Sequence, residues 1–113
     1  MIDGSMMLGL YDLRPGSPTE GTGELLTLDA AMSSVLIPPG VAHGFYFEHA
    51  ATLLCGVSHE WNPADELGCR FDDPELGLAW PSFEPLLSPR DEQGGSLSEL
   101  RHLVRAAFAT LDF

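Results

Sequence analysis

The feature that most constrains the fold is a rigid turn between two apolar segments. Leu36 and Ile37 lead into Pro38-Pro39-Gly40, and the sequence continues as Val-Ala-His-Gly-Phe-Tyr-Phe to residue 47. Two prolines fix their own φ angles and a glycine accepts a positive φ, so the chain must turn here. Short apolar segments separated by such turns favour an all-β sandwich or barrel.

The rest of the first hundred residues fits the same interpretation. Gly, Pro, Ser and Thr dominate residues 14–23, which predicts a loop between two strands. We predict strands over residues 5–13, 24–28, 34–37, 44–47 and 51–58. The last two are predicted to form a hairpin through Glu48-His49-Ala50.

The C-terminal residues follow a different periodicity. Apolar residues recur at helical spacing from Leu97 to Leu111, and Ser96 with Glu99 three positions later matches a capping box. We therefore predict one amphipathic C-terminal helix that packs on the β core or on a partner. The expected organisation is a β domain over residues 1–95 and this helix over residues 96–113.

Charge excludes several function classes. The chain of 113 residues has a formal net charge of -12, which argues against nucleic acid and anionic membranes as partners. All five cationic residues are arginine, so a catalytic lysine and a P-loop are excluded. No apolar run is long enough to span a membrane, and residues 1–13 lack the basic start of a secretion signal. We expect a cytoplasmic protein with both cysteines reduced.

Residues 36–47 resemble the second conserved motif of cupins, in which such a turn delivers a histidine into the mouth of a small β-barrel. More narrowly, the sequence is similar to the dTDP-4-dehydrorhamnose 3,5-epimerase family. Further similar segments occur in the order of that family. They are Asp12-Leu13-Arg14 with Ser17-Pro18-Thr19, Asn62 to Glu66, Arg70 to Pro74, Gly77 to Pro81, and Leu87 to Asp91.

The resemblance implies a cupin-type jelly roll that acts on a small molecule without a metal or cofactor. It also implies a homodimer, because the family pairs through its β-sheets. The family's N-terminal third, with its Arg-Gly-Leu-His segment and a lysine, has no counterpart here, so a truncated barrel is expected. No His-x-His is present, which fits the absence of a metal site.

The resemblance also implies which residues form the site. His43 matches the family's substrate-contacting histidine, Asp91 matches an aspartate, and Cys55 stands where the family has a tyrosine acid. Arg14 and Glu66 match further family positions and are candidates for substrate binding. Trp61 and Phe45 are candidates for an aromatic wall, although aromatic residues in small β folds are more often core.

Three functions remain open from the sequence. The first is an epimerase-like protein of deoxysugar or secondary-metabolite biosynthesis, in which the family's catalytic histidine and tyrosine are lacking. The second is an isomerase or cyclase for a small natural product, which the negative charge favours because a diphosphate prefers cations. The third is a non-catalytic binding subunit.

Overall fold

The fold is built on a three-stranded antiparallel sheet. The computed structural model describes residues 3–29, 34–57, 67–81 and 85–109, with the side chain of Arg90 left out. Strand β1 covers Ser5–Asp12, β2 covers Gly23–Asp29 and β3 covers Val41–Tyr46. The strand order is β2-β1-β3, so β1 is central and β3 is an edge strand among the described residues.

Alternation along β1 divides the apolar residues between the two faces of the sheet. On one face, Met6, Leu8 and Leu28 are buried, and Val35, Ile37 and Leu53 are among the residues packed around them. On the other face, a second cluster joins Tyr11 and Leu13 to residues of the C-terminal half: Leu76, Leu97, Leu100 and Val104. The sheet is therefore covered on both sides.

Helical elements close the second face. A 3₁₀ turn covers Pro74–Leu76, helix α1 covers Pro89–Glu92 and helix α2 covers Leu97–Ala109. The buried residues of α2 lie at spacings of three and four, which places them on one face of the helix. The predicted helix is confirmed, and it packs on the β core. The boundary at residue 95 stays a prediction.

Two side chains cap the start of α2. The Glu99 backbone N–H donates to the Ser96 hydroxyl at 3.1 Å, as the capping pattern predicts. The Leu97 backbone N–H donates to Asp73 Oδ2 at 2.7 Å. The other oxygen of Asp73 accepts from the Glu75 backbone N–H at 2.9 Å, which caps the 3₁₀ turn. A single carboxylate therefore joins two elements.

Two of the predicted strands are wrong. Residues 34–37 form no strand; Val35 and Ile37 pack on the sheet as part of a loop. Over the described residues 51–57, only Thr52 forms a bridge, and its partner is Asp3. The predicted hairpin is therefore wrong as well, because β3 pairs with β1 instead and begins at Val41. The segment after β3 instead bridges to Asp3 through Thr52 and forms no ladder with β3 over the described residues.

The overall class predicted from the sequence is nevertheless confirmed: a mostly β fold with a C-terminal helix. Helix α1 is an additional element of four residues that the sequence analysis did not anticipate. Among the described residues, no helix has the length and hydrophobicity needed to cross a membrane.

Candidate functional site

The loop after β1 is organised by Asp12, whose side chain is only 7% exposed. Its carboxylate accepts from Arg14 Nε and Nη2, each at 2.9 Å, and from the Ser17 hydroxyl at 2.8 Å. The Arg14 backbone N–H and the Thr19 hydroxyl also donate to it. These donors, Arg14 above all, hold the pKa of Asp12 well below its usual range despite burial.

This loop supports the turn that delivers the candidate histidine. Gly40 has φ +90°, and a side chain there would meet Arg14 Cγ and the Phe108 ring at 2.7 Å. The Leu13 backbone N–H donates to the Gly40 carbonyl at 3.0 Å. Arg14 thus packs against the turn and pairs with Asp12.

His43 lies on β3, opposite Leu10 of β1. Alternate residues of a strand share a face, so His43, Phe45 and Phe47 form a row. The ring centroids of His43 and Phe45 are 5.8 Å apart, and those of Phe45 and Phe47 are 6.3 Å apart. His43 is exposed, and both phenylalanines are about 40% exposed. This row presents an imidazole beside an aromatic surface.

Trp80 occupies the other face of the same strands. Gly9 and Gly44 are directly paired, and a methyl group built on Gly9 would lie 2.5 Å from the indole ring. The Trp80 Nε1–H donates to the Phe71 carbonyl at 3.0 Å. Two paired glycines therefore create the space in which this indole packs closely on the sheet.

An open groove of about 1240 Å³ runs along the edge strand β3. Its lining includes His43 and Phe45 from one face of β3 and Trp80 from the other, together with Arg70, Phe71, Leu87 and Asp91. A volume of this size exceeds that of a typical small-molecule pocket. The groove is the candidate site because it holds the histidine together with aromatic, cationic and carboxylate side chains.

The groove brings together three of the seven predicted site residues: His43, Phe45 and Asp91. Arg14 and Cys55 are not among its lining residues, and Arg14 is held by Asp12. Trp61 and Glu66 lie outside the described residues. The Asp91 carboxylate belongs to α1, whose start is fixed by the Asp91 N–H donating to the Ser88 hydroxyl at 3.2 Å.

The sequence analysis missed Arg70 and Cys69 as lining residues of the groove. The available signals were the charged run Arg-Phe-Asp-Asp at residues 70–73 and the similarity of residues 70–74 to a segment of the family. Cys69 is half buried, and burial, with a smaller effect from Asp73, raises the pKa of its thiol. The thiol is therefore protonated at neutral pH. Both cysteines are free.

Every arginine whose side chain is described contacts a carboxylate. Arg14 pairs with Asp12 and Arg70 with Asp72, each at 2.9 Å. The two arginines of α2 reach back to other elements: Arg101 to Glu75 at 3.7 Å and Arg105 to Glu20 at 3.4 Å. Within the described ranges, no three His, Cys, Asp or Glu side chains are grouped so that they could hold a metal ion.

A β-sheet with a proline-proline-glycine turn that delivers a histidine to an open groove is typical of the cupin class. The family model described as dTDP-4-dehydrorhamnose 3,5-epimerase matches residues 1–99. The chain belongs to this family.

Curated relatives and solved structures agree with that assignment. The dTDP-4-dehydrorhamnose 3-epimerase of Streptomyces niveus is 39% identical over 102 residues, which cover 88% of this chain and 49% of the relative. The dTDP-4-dehydrorhamnose 3,5-epimerase of Pseudomonas aeruginosa is 39% identical over 92 residues, or 78% of this chain and 50% of the relative. The chain thus spans about half the length of these relatives.

Among solved structures, a double mutant of ChmJ, a 3'-monoepimerase from Streptomyces bikiniensis in complex with dTDP, superposes with a TM-score of 0.69 and 35% identity. The match covers 90% of this chain and 53% of that one. NovW, a 4-keto-6-deoxy sugar epimerase from the novobiocin biosynthetic gene cluster of Streptomyces spheroides, superposes with a TM-score of 0.63 and 33% identity. That match covers 90% of this chain and 52% of NovW. Both structures are epimerases of the cupin fold.

Proposed function

We propose that the chain binds a dTDP-linked 4-keto-6-deoxy sugar in the groove along β3 and contributes to epimerisation beside the keto group. The carrying observation is that His43 lies in one groove with the aromatic side chain of Phe45 and the carboxylate of Asp91. Support also comes from the relatives, which are named for epimerases of such sugars.

Epimerisation beside a ketone needs a proton to leave one face of a carbon and return to the other. The enolate formed between these steps needs a hydrogen-bond donor at its oxygen. The imidazole of His43 can serve as the base or as that donor. Asp91 lines the same groove and is the second proposed proton-transfer group. A role for Cys55 requires the segment around it to approach the groove.

The test is exchange of the C3 and C5 protons of dTDP-4-keto-6-deoxyglucose in D₂O, followed by NMR. We expect His43→Ala to reduce the exchange rate by about 100-fold, the lower range for a general acid or base. His49→Ala is the matched control, because His49 is an exposed histidine outside the groove-lining set, and it retains the rate. Exchange that persists in His43→Ala contradicts the proposal.

A second candidate is an isomerase or cyclase for an uncharged natural product, with a non-catalytic binding subunit as the remaining alternative. The observation that favours an uncharged ligand is that Arg14, Arg70, Arg101 and Arg105 all contact carboxylates. A folded wild-type protein that binds no dTDP-sugar supports this candidate over the first.

We further propose a homodimer that works in the cytoplasm on deoxysugars of secondary metabolism. The exposure of Leu54 and Val57 supports a subunit interface, and the two free cysteines are typical of a reducing compartment. The pathway class rests on NovW, whose gene lies in the novobiocin cluster.

A further inference from the structure

Arg70 stands out because it is the arginine that lines the groove among those whose side chains are described. Its guanidinium is occupied by Asp72 in a bidentate pair, with Nε to Oδ1 at 2.9 Å and Nη2 to Oδ2 at 3.1 Å. A guanidinium fork has the same geometry toward a phosphate as toward a carboxylate. The pair therefore occupies the two donors that a phosphate group would use.

The two partners lie on different sides of a dividing wall. Arg70 lines the large groove, whereas Asp72 lines a smaller neighbouring cavity of about 280 Å³. Phe71 and Trp80 line both cavities and separate them. Asp72 therefore binds the guanidinium from outside the set of residues that line the groove.

The backbone that carries this pair is fixed. The Arg70 N–H donates to the Gly95 carbonyl at 2.8 Å, and the Phe71 carbonyl accepts from Trp80. Asp73, next in the chain, is held between the 3₁₀ turn and the start of α2. These hydrogen bonds restrain the backbone of the loop and do not involve the Arg70 side chain.

The pair of Arg70 with Asp72 is also weak enough for another anion to replace Asp72. The side chains of Arg70 and Asp72 are 49% and 39% exposed, and ion pairs at such exposure contribute little to stability. The arginines of the other pairs are absent from the groove lining. Among the arginines whose side chains are described, an anion that enters the groove thus meets Arg70, which it can release from its carboxylate partner.

We propose that Arg70 is the anion-binding residue of the groove, and that Asp72 holds its guanidinium away until a diphosphate replaces the carboxylate. The ligand class is a phosphate ester or diphosphate. Its identification with the dTDP part of a sugar nucleotide rests on the proposed function.

The experiment measures the binding of inorganic pyrophosphate and of dTDP by calorimetry at low salt. We expect Asp72→Asn to raise the affinity for both probes about five-fold, because it removes a competing partner and a repelling charge. Arg70→Gln lowers both affinities by at least about ten-fold, and Arg70→Lys gives an intermediate value because it keeps the charge without the fork. Circular dichroism verifies that each variant is folded.

The matched control is Glu20→Gln, which breaks the Arg105–Glu20 pair of similar type outside the groove and leaves both affinities unchanged. Arg90→Gln tests the neighbouring cation beside Asp91. If Arg90→Gln abolishes binding while Arg70→Gln does not, the proposal is overturned.

The two probes separate this inference from the proposed function. If the pyrophosphate affinities change as expected across the variants and dTDP binds no more tightly than pyrophosphate, the role of Arg70 is supported. The proposal that the ligand is a nucleotide sugar is then contradicted. If neither Asp72→Asn nor Arg70→Gln changes the affinity for dTDP, the role of Arg70 is overturned and the proposed function stands. Failure of both probes to bind any variant overturns both.

Discussion

Asp12 accepts hydrogen bonds from the side chains of Arg14, Ser17 and Thr19, all of which belong to the loop that follows it. At the scale of single residues, this carboxylate explains why the segment from Asp12 to Thr19 has its particular composition. Each polar residue named here supplies a donor to one buried acceptor. The sequence predicts that Arg14 binds substrate. In the structure its guanidinium binds Asp12 within the loop, which gives Arg14 a structural role.

We predict that Asp12→Asn lowers the free energy of unfolding at pH 7 by about 2 kcal/mol, since it removes a buried, charged hydrogen-bond acceptor. Urea denaturation measures this difference. Asp72→Asn is the control, because its exposed pair with Arg70 contributes at most about 0.5 kcal/mol.

The difference in unfolding free energy between wild type and Asp12→Asn should depend on pH. The pKa of Asp12 is lowered in the folded state, so its stabilising effect is complete above the unfolded value of about 3.9 and is lost as the pH falls toward the folded value. The difference between wild type and Asp12→Asn should be constant from pH 7 to about pH 5 and shrink below pH 4. A constant difference down to pH 3 would contradict this account.

At the scale of elements, the pairing of Gly9 with Gly44 sets how Trp80 packs on the sheet. The two glycines face the same indole at different distances. A methyl group on Gly9 would lie 2.5 Å from the ring, whereas one on Gly44 would lie at 3.8 Å, an ordinary contact.

We therefore predict that Gly9→Ala destabilises the protein by about 2 kcal/mol through overpacking, and that Gly44→Ala changes stability by less than about 0.5 kcal/mol. Thermal unfolding with tryptophan fluorescence reports both the stability and the environment of the indole. If the two substitutions destabilise the protein equally, the close contact with Trp80 is not the reason why a side chain at Gly9 is unfavourable.

The elements also show which parts of the fold a sequence can predict. The turn at Pro38-Pro39-Gly40 and the helix starting after Ser96 depend on local chemistry, and both are present. The pairing of β3 with β1 depends on residues 29 to 39 positions apart, so a local pattern could not distinguish it from a hairpin. The sequence motif predicted that His43 lines the candidate site, and His43 does line the groove. The position of the Arg70 guanidinium depends on its pair with Asp72, which no local sequence pattern specifies.

At the scale of the whole molecule, the uncharged segment Ala50–Val57 is the surface on which the proposed homodimer can be tested. Thr52 exchanges two backbone hydrogen bonds with Asp3, at 2.8 and 3.1 Å, and the residues after it leave Leu54 83% and Val57 75% exposed. Because this segment carries no charge, the net charge of -12 opposes its contact with a second copy only weakly.

We predict that the double substitution Leu54→Glu with Val57→Glu converts the proposed homodimer to a monomer in sedimentation velocity. Leu36→Glu, at a leucine that is 92% exposed outside this segment, is the control and should leave the dimer intact. A wild-type monomer, or a monomer produced equally by Leu36→Glu, would reject the interface.

The shared cap at Asp73 has a consequence for the order in which the molecule opens. Since one carboxylate accepts from both the 3₁₀ turn and the first turn of α2, opening of either element removes one of the two hydrogen bonds that orient this carboxylate for the other. The amide protons of Glu75 and Leu97 should therefore exchange with solvent at matching rates, as members of one cooperative unit. The Arg70 backbone N–H donates to the carbonyl of Gly95, two residues before α2 begins, so opening of the first turn of α2 should also loosen the loop that carries Arg70.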